Sequence, residues 1–164
     1  SCWSAPILGN SFLGNRGMPI DLAGSNNYDG STPNDAGDGD GSGTDPFGAA
    51  AGNRFQNKAE IMAQVENAAS DELRLTLRVD STTTAQAYPL RIDFYRTDEF
   101  GTLGPDFPTP VVASYDAVDA QQPREYVLTL SRFARGGGIV ITDAEGNSSE
   151  LVGFGDVFSD GFED

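Results

Sequence analysis

The feature of this sequence that most constrains its fold is a strict alternation of apolar and polar residues. Residues 73–80 read LRLTLRVD and residues 90–95 read LRIDFY, so apolar side chains recur at every second position. A β-strand points successive side chains to opposite faces, whereas a helix repeats every 3.6 residues. Both segments are therefore predicted to be strands that bury one face.

Further short apolar segments follow, separated by turn-forming residues such as 122–123 (QP) and 136–138 (GGG). The additional strand candidates are residues 111–115, 126–130, 139–142 and 150–154. Regularly spaced short strands with one polar and one apolar face are typical of two antiparallel sheets on a single core. The predicted fold class is therefore all-β, with an antiparallel β-sandwich in the second half of the chain.

The segment 59–69 is ambiguous. Its apolar residues Ile61, Met62, Val65 and Ala68 recur at helical spacing, and Ala, Glu, Gln and Met are good helix formers. Its position directly before a series of strands indicates a first strand instead. Local propensity and position in the chain thus favour different structures.

Near the N-terminus, a Gly-Asn step follows an apolar residue twice, in residues 8–12 (LGNSF) and 13–15 (LGN). Asn and Gly tolerate the left-handed backbone of tight turns, so this repeat fits short strands joined by turns, as in the rungs of a parallel β-helix. An irregular N-terminal loop fits the same spacing equally well.

Composition excludes several functional classes. The chain has no His and a single Cys, so it cannot form a Ser-His-Asp triad, a Cys-His pair or a zinc knuckle. Its formal net charge of −15 opposes binding to nucleic acid and to anionic lipid. No segment approaches the roughly 20 apolar residues of a membrane helix, so membrane insertion is not expected.

The strongest chemical feature is an acidic loop, residues 29–45, which contains five Asp and no cationic residue. Asp38, Asp40 and Ser42 lie at alternate positions and are followed by Gly43, as in the first half of a calcium loop. The twelfth position is Ala49, so other oxygens would have to complete the coordination. The predicted ligands of a structural Ca²⁺ are Asp29, Asn34, Asp35, Asp38, Asp40, Ser42 and Asp45. A flexible, solvated acidic linker is the alternative.

Two of these segments together resemble a known family. Residues 9–22 (GNSFLGNRGMPIDL) and 29–40 (DGSTPNDAGDGD) are similar to the end of the right-handed parallel β-helix in secreted bacterial proteins of the CSLREA type. In that family an "LQNFP" segment and an Ig-like β-sandwich follow. Here residues 55–57 (FQN) match its first part, residues 58–59 (KA) depart from it, and residues 141–150 resemble the closing hairpin of the sandwich.

The resemblance implies a secreted or cell-surface location in bacteria, and it favours a strand over a helix for residues 59–69. It divides the chain into a terminal β-helix-like rung (1–27), an acidic calcium-type loop with a connector (28–58), an Ig-like β-sandwich (59–154) and an acidic, Phe-containing tail (155–164). Because the chain lacks an initiator Met and a signal peptide, we expect it to be part of a longer exported protein.

Three functions are compatible with this architecture. The first is a non-catalytic C-terminal module that caps the upstream β-helix, with adhesion to a glycan or a surface protein as a further role. Tyr88, Tyr95, Tyr115 and Tyr126 are candidates to stack on sugars, although such residues are more often core or cross-strand pairs. The second is a fragment of a polysaccharide-degrading enzyme, for which Asp21, Asp29 and Asp93 are available carboxylates. The third is a secretion or protein-interaction module recognised through its tail.

Overall fold

The computed structural model describes residues 4–8, 20, 22, 32–38, 52–96, 111–134 and 136–155. These residues form seven β-strands and short 3₁₀ turns, with no α-helix among them. The strands are β1 (Glu60–Asn67), β2 (Glu72–Arg78), β3 (Leu90–Arg96), β4 (Val111–Ala117), β5 (Arg124–Thr129), β6 (Gly137–Thr142) and β7 (Val152–Phe154). The predicted all-β class is confirmed.

The strands form two antiparallel sheets. One sheet has the order β1-β2-β5 and the other has the order β4-β3-β6-β7. The alternating apolar residues of β2 and β3 face each other across the space between the sheets. Leu75 and Phe94 are fully buried there, and residues of both sheets belong to one hydrophobic cluster. Three aromatic residues, Phe94, Tyr115 and Tyr126, pack against one another with ring centroids 5.2 to 5.8 Å apart.

The ambiguous segment 59–69 contains an edge strand, so the strand interpretation is confirmed and the helical periodicity was misleading. β1 pairs with β2 along its length, with one irregularity between Ile61 and Ala63. Most of β1 is exposed, including Met62 and Val65. Cross-strand pairing therefore overrides a helical propensity that is worth only a few tenths of a kcal/mol per residue.

A second hydrophobic cluster lies on the outer face of the four-stranded sheet. Tyr95, Val140 and Leu151 are buried there under Ile20 and Leu22, with Ile7 and Phe55 packed at the margin. We call the described residues 4–8, 20, 22 and 32–38 the N-terminal layer. It gives the molecule a third layer over a sheet face that a two-sheet sandwich would leave in water.

The four tyrosines considered for stacking on sugars are all at least partly buried. Tyr95 and Tyr126 are 2% and 4% exposed, and Tyr88 and Tyr115 are half-buried. Tyr88 is held by its hydroxyl group, which lies 2.6 Å from Ser81 Oγ. The interpretation of these residues as core and cross-strand partners is the correct one, because each ring is used in packing between the layers.

Candidate functional site

Two segments are joined by side chains that pair with backbone groups: residues 34–38, which we call the acidic turn, and residues 52–59, the connector before β1. Asn34 Nδ2 donates to the carbonyl of Lys58, and the N–H of Lys58 donates back to Asn34 Oδ1, both at 2.9 Å. Asn57 makes a similar pair with Asp35, receiving its N–H at 3.0 Å and donating to its carbonyl at 2.8 Å. A second Asn57 donor reaches the carbonyl of Asp80 at 2.6 Å.

Asp38 is the innermost carboxylate of this region, with no exposed surface. Gln56 Nε2 donates to its Oδ2 at 2.7 Å, and the N–H of Asn57 donates to its Oδ1 at 3.1 Å. A buried carboxylate is tolerated only where such donors replace water. The backbone of Asp38 is left-handed, with φ of 58°. Asp tolerates this conformation better than most residues.

The connector begins with a left-handed turn of non-glycine residues. Asn53, Arg54 and Phe55 have φ values of 46°, 52° and 50°. Such a conformation costs roughly 1–2 kcal/mol per residue, so other contacts must hold it. Asn53 supplies them, because its side chain accepts from the N–H of Ala5 and donates to the carbonyls of Ala5 and Ser148, each at 3.1 Å.

Glu150, just before β7, connects the N-terminal layer to the sheet. Its side chain is 2% exposed and accepts from the N–H of Thr32 through both oxygens, at 3.0 and 2.9 Å. The N–H of Leu22 donates to the same carboxylate at 3.2 Å. Lys58 Nζ lies 3.6 Å from Glu150 Oε2 and donates to the carbonyl of Thr32 at 3.0 Å.

The turn between β6 and β7 completes this arrangement. Asp143 accepts from the N–H groups of Glu145 and Asn147 and from the side-chain amide of Asn147, which shapes the turn. Asn147 Oδ1 then accepts from the N–H of Ser4 at 3.1 Å, and Ser148 Oγ accepts from the N–H of Ile7 at 2.9 Å. We call the buried polar residues that hold the N-terminal layer the polar seam: Asp38, Asn53, Gln56, Asn57, Asn147, Ser148 and Glu150.

The structure describes three of the seven predicted calcium ligands. Asn34, Asp35 and Asp38 lie together against the connector, while Asp29, Asp40, Ser42 and Asp45 lie outside the described residues. Within the described part of the chain, no group of three or more His, Cys, Asp or Glu side chains is arranged to hold a metal ion. The calcium site therefore stays a prediction.

Sequence reasoning missed most of the polar seam. The sequence pattern places Gln56 and Asn57 only in a family-like "FQN" segment, and it places Glu150 at the start of a strand. The one available indication was the density of Asn and Gln in residues 53–57, which is unusual next to a first strand.

Of the three carboxylates considered for an enzyme function, the one that the structure describes has a structural partner. Asp93 is 1% exposed, and both its oxygens accept from Arg91 Nε at 2.9 and 3.0 Å. Asp21 and Asp29 lie outside the described residues. The shallow depression between Lys58 and Glu150 encloses almost no volume of its own, far below the roughly 300–1,000 Å³ of ligand pockets.

No protein-family model, no curated protein and no solved structure matches this chain. Among the described residues, no helix has the length and apolar character needed to cross a membrane. The features on which a functional proposal rests are therefore the two sheets, the N-terminal layer and the polar seam between them.

Proposed function

We propose that this chain is a non-catalytic module at the C-terminal end of a secreted or surface β-helix protein, where an Ig-like β-sandwich caps the last rung. The proposal is supported by the way the N-terminal layer attaches to the four-stranded sheet. That layer includes the described parts of the segments that resemble the end of a β-helix, namely Ile20, Leu22 and residues 32–38, and the sheet holds these parts by both apolar and polar contacts.

A cap has a physical purpose in such a protein. The end of a β-helix presents unpaired N–H and C=O groups, which are a template for pairing with another chain. A folded domain that binds the last segments of the helix covers these groups and prevents that pairing. The N-terminal layer is bound in this manner, because N–H groups of Ser4, Ile7, Leu22 and Thr32 donate to side chains of residues 147–150.

The single observation that carries the proposal is the contact of Glu150 with Thr32 and Leu22. The Glu150 carboxylate is 2% exposed and accepts hydrogen bonds from the backbone N–H groups of Leu22 and Thr32. Its role is therefore structural. Glu150 attaches the N-terminal layer to the four-stranded sheet. Among the described residues, no comparable contact favours a polysaccharide-degrading enzyme or an adhesive surface, and residues 156–164 of the tail lie outside them.

The experiment compares the longer protein with a version that ends before β1. We expect removal of the module to turn a monomer into aggregates that grow by strand pairing, measured by sedimentation velocity. A shortened protein that stays monomeric and equally stable would show that capping is not its role. Polysaccharide cleavage by the isolated module, abolished by one Asp→Asn change, would instead support the enzyme alternative.

We also propose that a structural Ca²⁺ orders the acidic loop beside the seam. The support is the alternating oxygen ligands at positions 38, 40 and 42 and the proximity of Asp35 and Asp38 to the connector. We expect EDTA to lower the melting temperature and Ca²⁺ to restore it, with a Kd on the order of 10⁻⁴ to 10⁻³ M, as in extracellular modules. An unchanged melting temperature in both conditions would remove the calcium site and leave the capping proposal intact.

A further inference from the structure

The side chain of Gln56, inside the polar seam, has one polar atom without a hydrogen-bond partner in the part of the chain that the structure describes. Gln56 is 2% exposed, and its Nε2 donates to Asp38 and to the carbonyl of Asn57. Its Oε1 is buried and has no hydrogen-bond partner among the described residues. Leaving such an acceptor unsatisfied costs about 1–3 kcal/mol, and buried polar groups normally have a partner.

Gln56 Oε1 lies close to the carboxylate of Asp38 in the acidic turn. Gln56 Nε2 lies 2.7 Å from Asp38 Oδ2, and the two heteroatoms of one amide are about 2.2 Å apart. Gln56 Oε1 therefore lies within about 5 Å of Asp38 Oδ2, by the same covalent geometry. Two oxygens that share a calcium ion, each about 2.3–2.6 Å from it, span up to this separation.

A second carboxylate is close in sequence and in the fold. Asp35 and Asp38 lie at the two ends of a turn at residues 36–38, in which Gly37 and Asp38 have left-handed φ values of 71° and 58°. Asn57 fixes both ends of the turn, through the backbone of Asp35 and through the carboxylate of Asp38. Each carboxylate oxygen has two lone pairs, so a bound N–H does not prevent metal binding.

We propose that Gln56 Oε1 is a ligand of the calcium ion, together with the carboxylates of Asp38 and Asp35. This inference rests on the proposed calcium site and places the ion against the connector. Amide and carboxylate oxygens are the ligands that Ca²⁺ prefers. Asn34, another predicted ligand, uses both heteroatoms of its amide to hold the backbone of Lys58 and so positions the connector.

The test uses Gln56→Glu in the full chain, with Gln64→Glu as a matched control. Gln64 lies on exposed β1, so its variant makes the same chemical change away from the acidic turn. Calcium affinity is measured by calorimetry on metal-free protein. We expect Gln56→Glu to lower the Kd about tenfold, because an added charged ligand tightens calcium sites, and Gln64→Glu to leave it unchanged.

Without the ion, the new carboxylate of Gln56→Glu lies beside Asp38. The metal-free variant is therefore expected to melt at a lower temperature than the wild type, and its melting temperature should rise more on addition of Ca²⁺. A second variant, Gln56→Met, keeps the length of the side chain and removes the oxygen, and it should weaken calcium binding at least about tenfold.

Two outcomes overturn the inference. If the wild type binds Ca²⁺ and Gln56→Glu binds it with the same affinity, the ion lies elsewhere, and the calcium proposal survives without Gln56. If the wild type binds no Ca²⁺ in the calorimeter, both the ligand and the calcium site are wrong. Neither outcome affects the capping proposal, which is tested by aggregation.

Discussion

Glu150 accepts the same backbone N–H of Thr32 through both of its carboxylate oxygens, at 3.0 and 2.9 Å, although 118 residues separate the two. The contact is buried on the Glu150 side, where the side chain is 2% exposed. An ionised carboxylate in such a place is stable only while its donors are present. The N-terminal layer and the chain that leads into β7 therefore depend on each other.

Replacing Glu150 by Gln should destabilise the protein. The amide keeps one acceptor oxygen but loses the charge that strengthens its bonds to Thr32, Leu22 and Lys58. Hydrogen bonds to charged groups contribute about 1.5–3 kcal/mol, so we expect the free energy of unfolding to fall by about 2 kcal/mol. Chemical denaturation with urea measures this change.

The matched control is Glu145→Gln. Glu145 pairs with Arg54 at 2.9 Å, but its side chain is 50% exposed, and exposed ion pairs contribute about 0–1 kcal/mol. Equal losses in the two variants would contradict the special role of Glu150.

Asn57→Asp tests the pairing of the connector with the acidic turn. The change removes the amide donors to the carbonyls of Asp35 and Asp80 and places a negative charge against both oxygens. One oxygen of the new carboxylate can still accept from the N–H of Asp35, but the other would be buried against two carbonyl oxygens. Because such a repulsive buried contact is strongly unfavourable, we expect a loss of about 3 kcal/mol or more, measured by thermal unfolding.

Asn67→Asp is the control for this prediction. Asn67 ends exposed β1, and its Oδ1 accepts from the N–H of Ala69, a bond that Asp can also accept. This variant should stay within about 0.5 kcal/mol of the wild type, as most surface substitutions do. A larger effect at Asn67 than at Asn57 would refute the assignment of the seam.

Two neighbouring glycines in β6 should differ in their tolerance of Ala. A Cβ at Gly137 would lie 2.3 Å from the backbone carbonyl oxygen of Tyr95, whereas one at Gly138 would lie 2.7 Å from a methyl group of Leu151. A side chain can move and a paired strand cannot. Gly138→Ala should cost about 1–3 kcal/mol, as overpacked cores do, and Gly137→Ala should cost more. The reverse order in urea denaturation would contradict the close approach of β6 to β3.

The stability of the fold at alkaline pH should depend on Tyr126. Burial raises the pKa of its hydroxyl group, and the nearby Arg124 only partly opposes this. The folded protein therefore holds the phenolic proton more tightly than the unfolded chain, whose Tyr pKa is about 10. This contribution is complete below about pH 10 and is lost as the pH rises through the folded pKa. Denaturant titrations across that range should show a smaller alkaline loss for Tyr126→Phe.

The strands of the sandwich were predictable because their residues repeat with the period of a strand. Residues 73–80 and 90–95 place apolar side chains on one face, and the structure buries that face in both β2 and β3. β1 shows the limit of this approach. Its residues follow a helical period, and only its pairing with β2, which lies outside the segment itself, makes it a strand.

The polar seam could not be predicted by the same reasoning. Its bonds join side chains to backbone groups of loops, and such bonds have no period in the sequence. Asn53 contacts residues 48 and 95 positions away, and Ser4 reaches Asn147 across 143 positions. The acidic composition of residues 29–45 indicated a cation, whereas the described part of that loop is bound by Gln56, Asn57 and Lys58.

The most direct test of the central claim, that the N-terminal layer is fastened to the sandwich, is amide hydrogen exchange at Thr32 and Leu22. Both N–H groups donate to Glu150, so they should exchange with a free energy of opening close to that of global unfolding. In Glu150→Gln, their protection should fall more than that of the β2 amides. Exchange of Thr32 and Leu22 at the rate of an unstructured peptide, with the sheets still protected, would contradict the account.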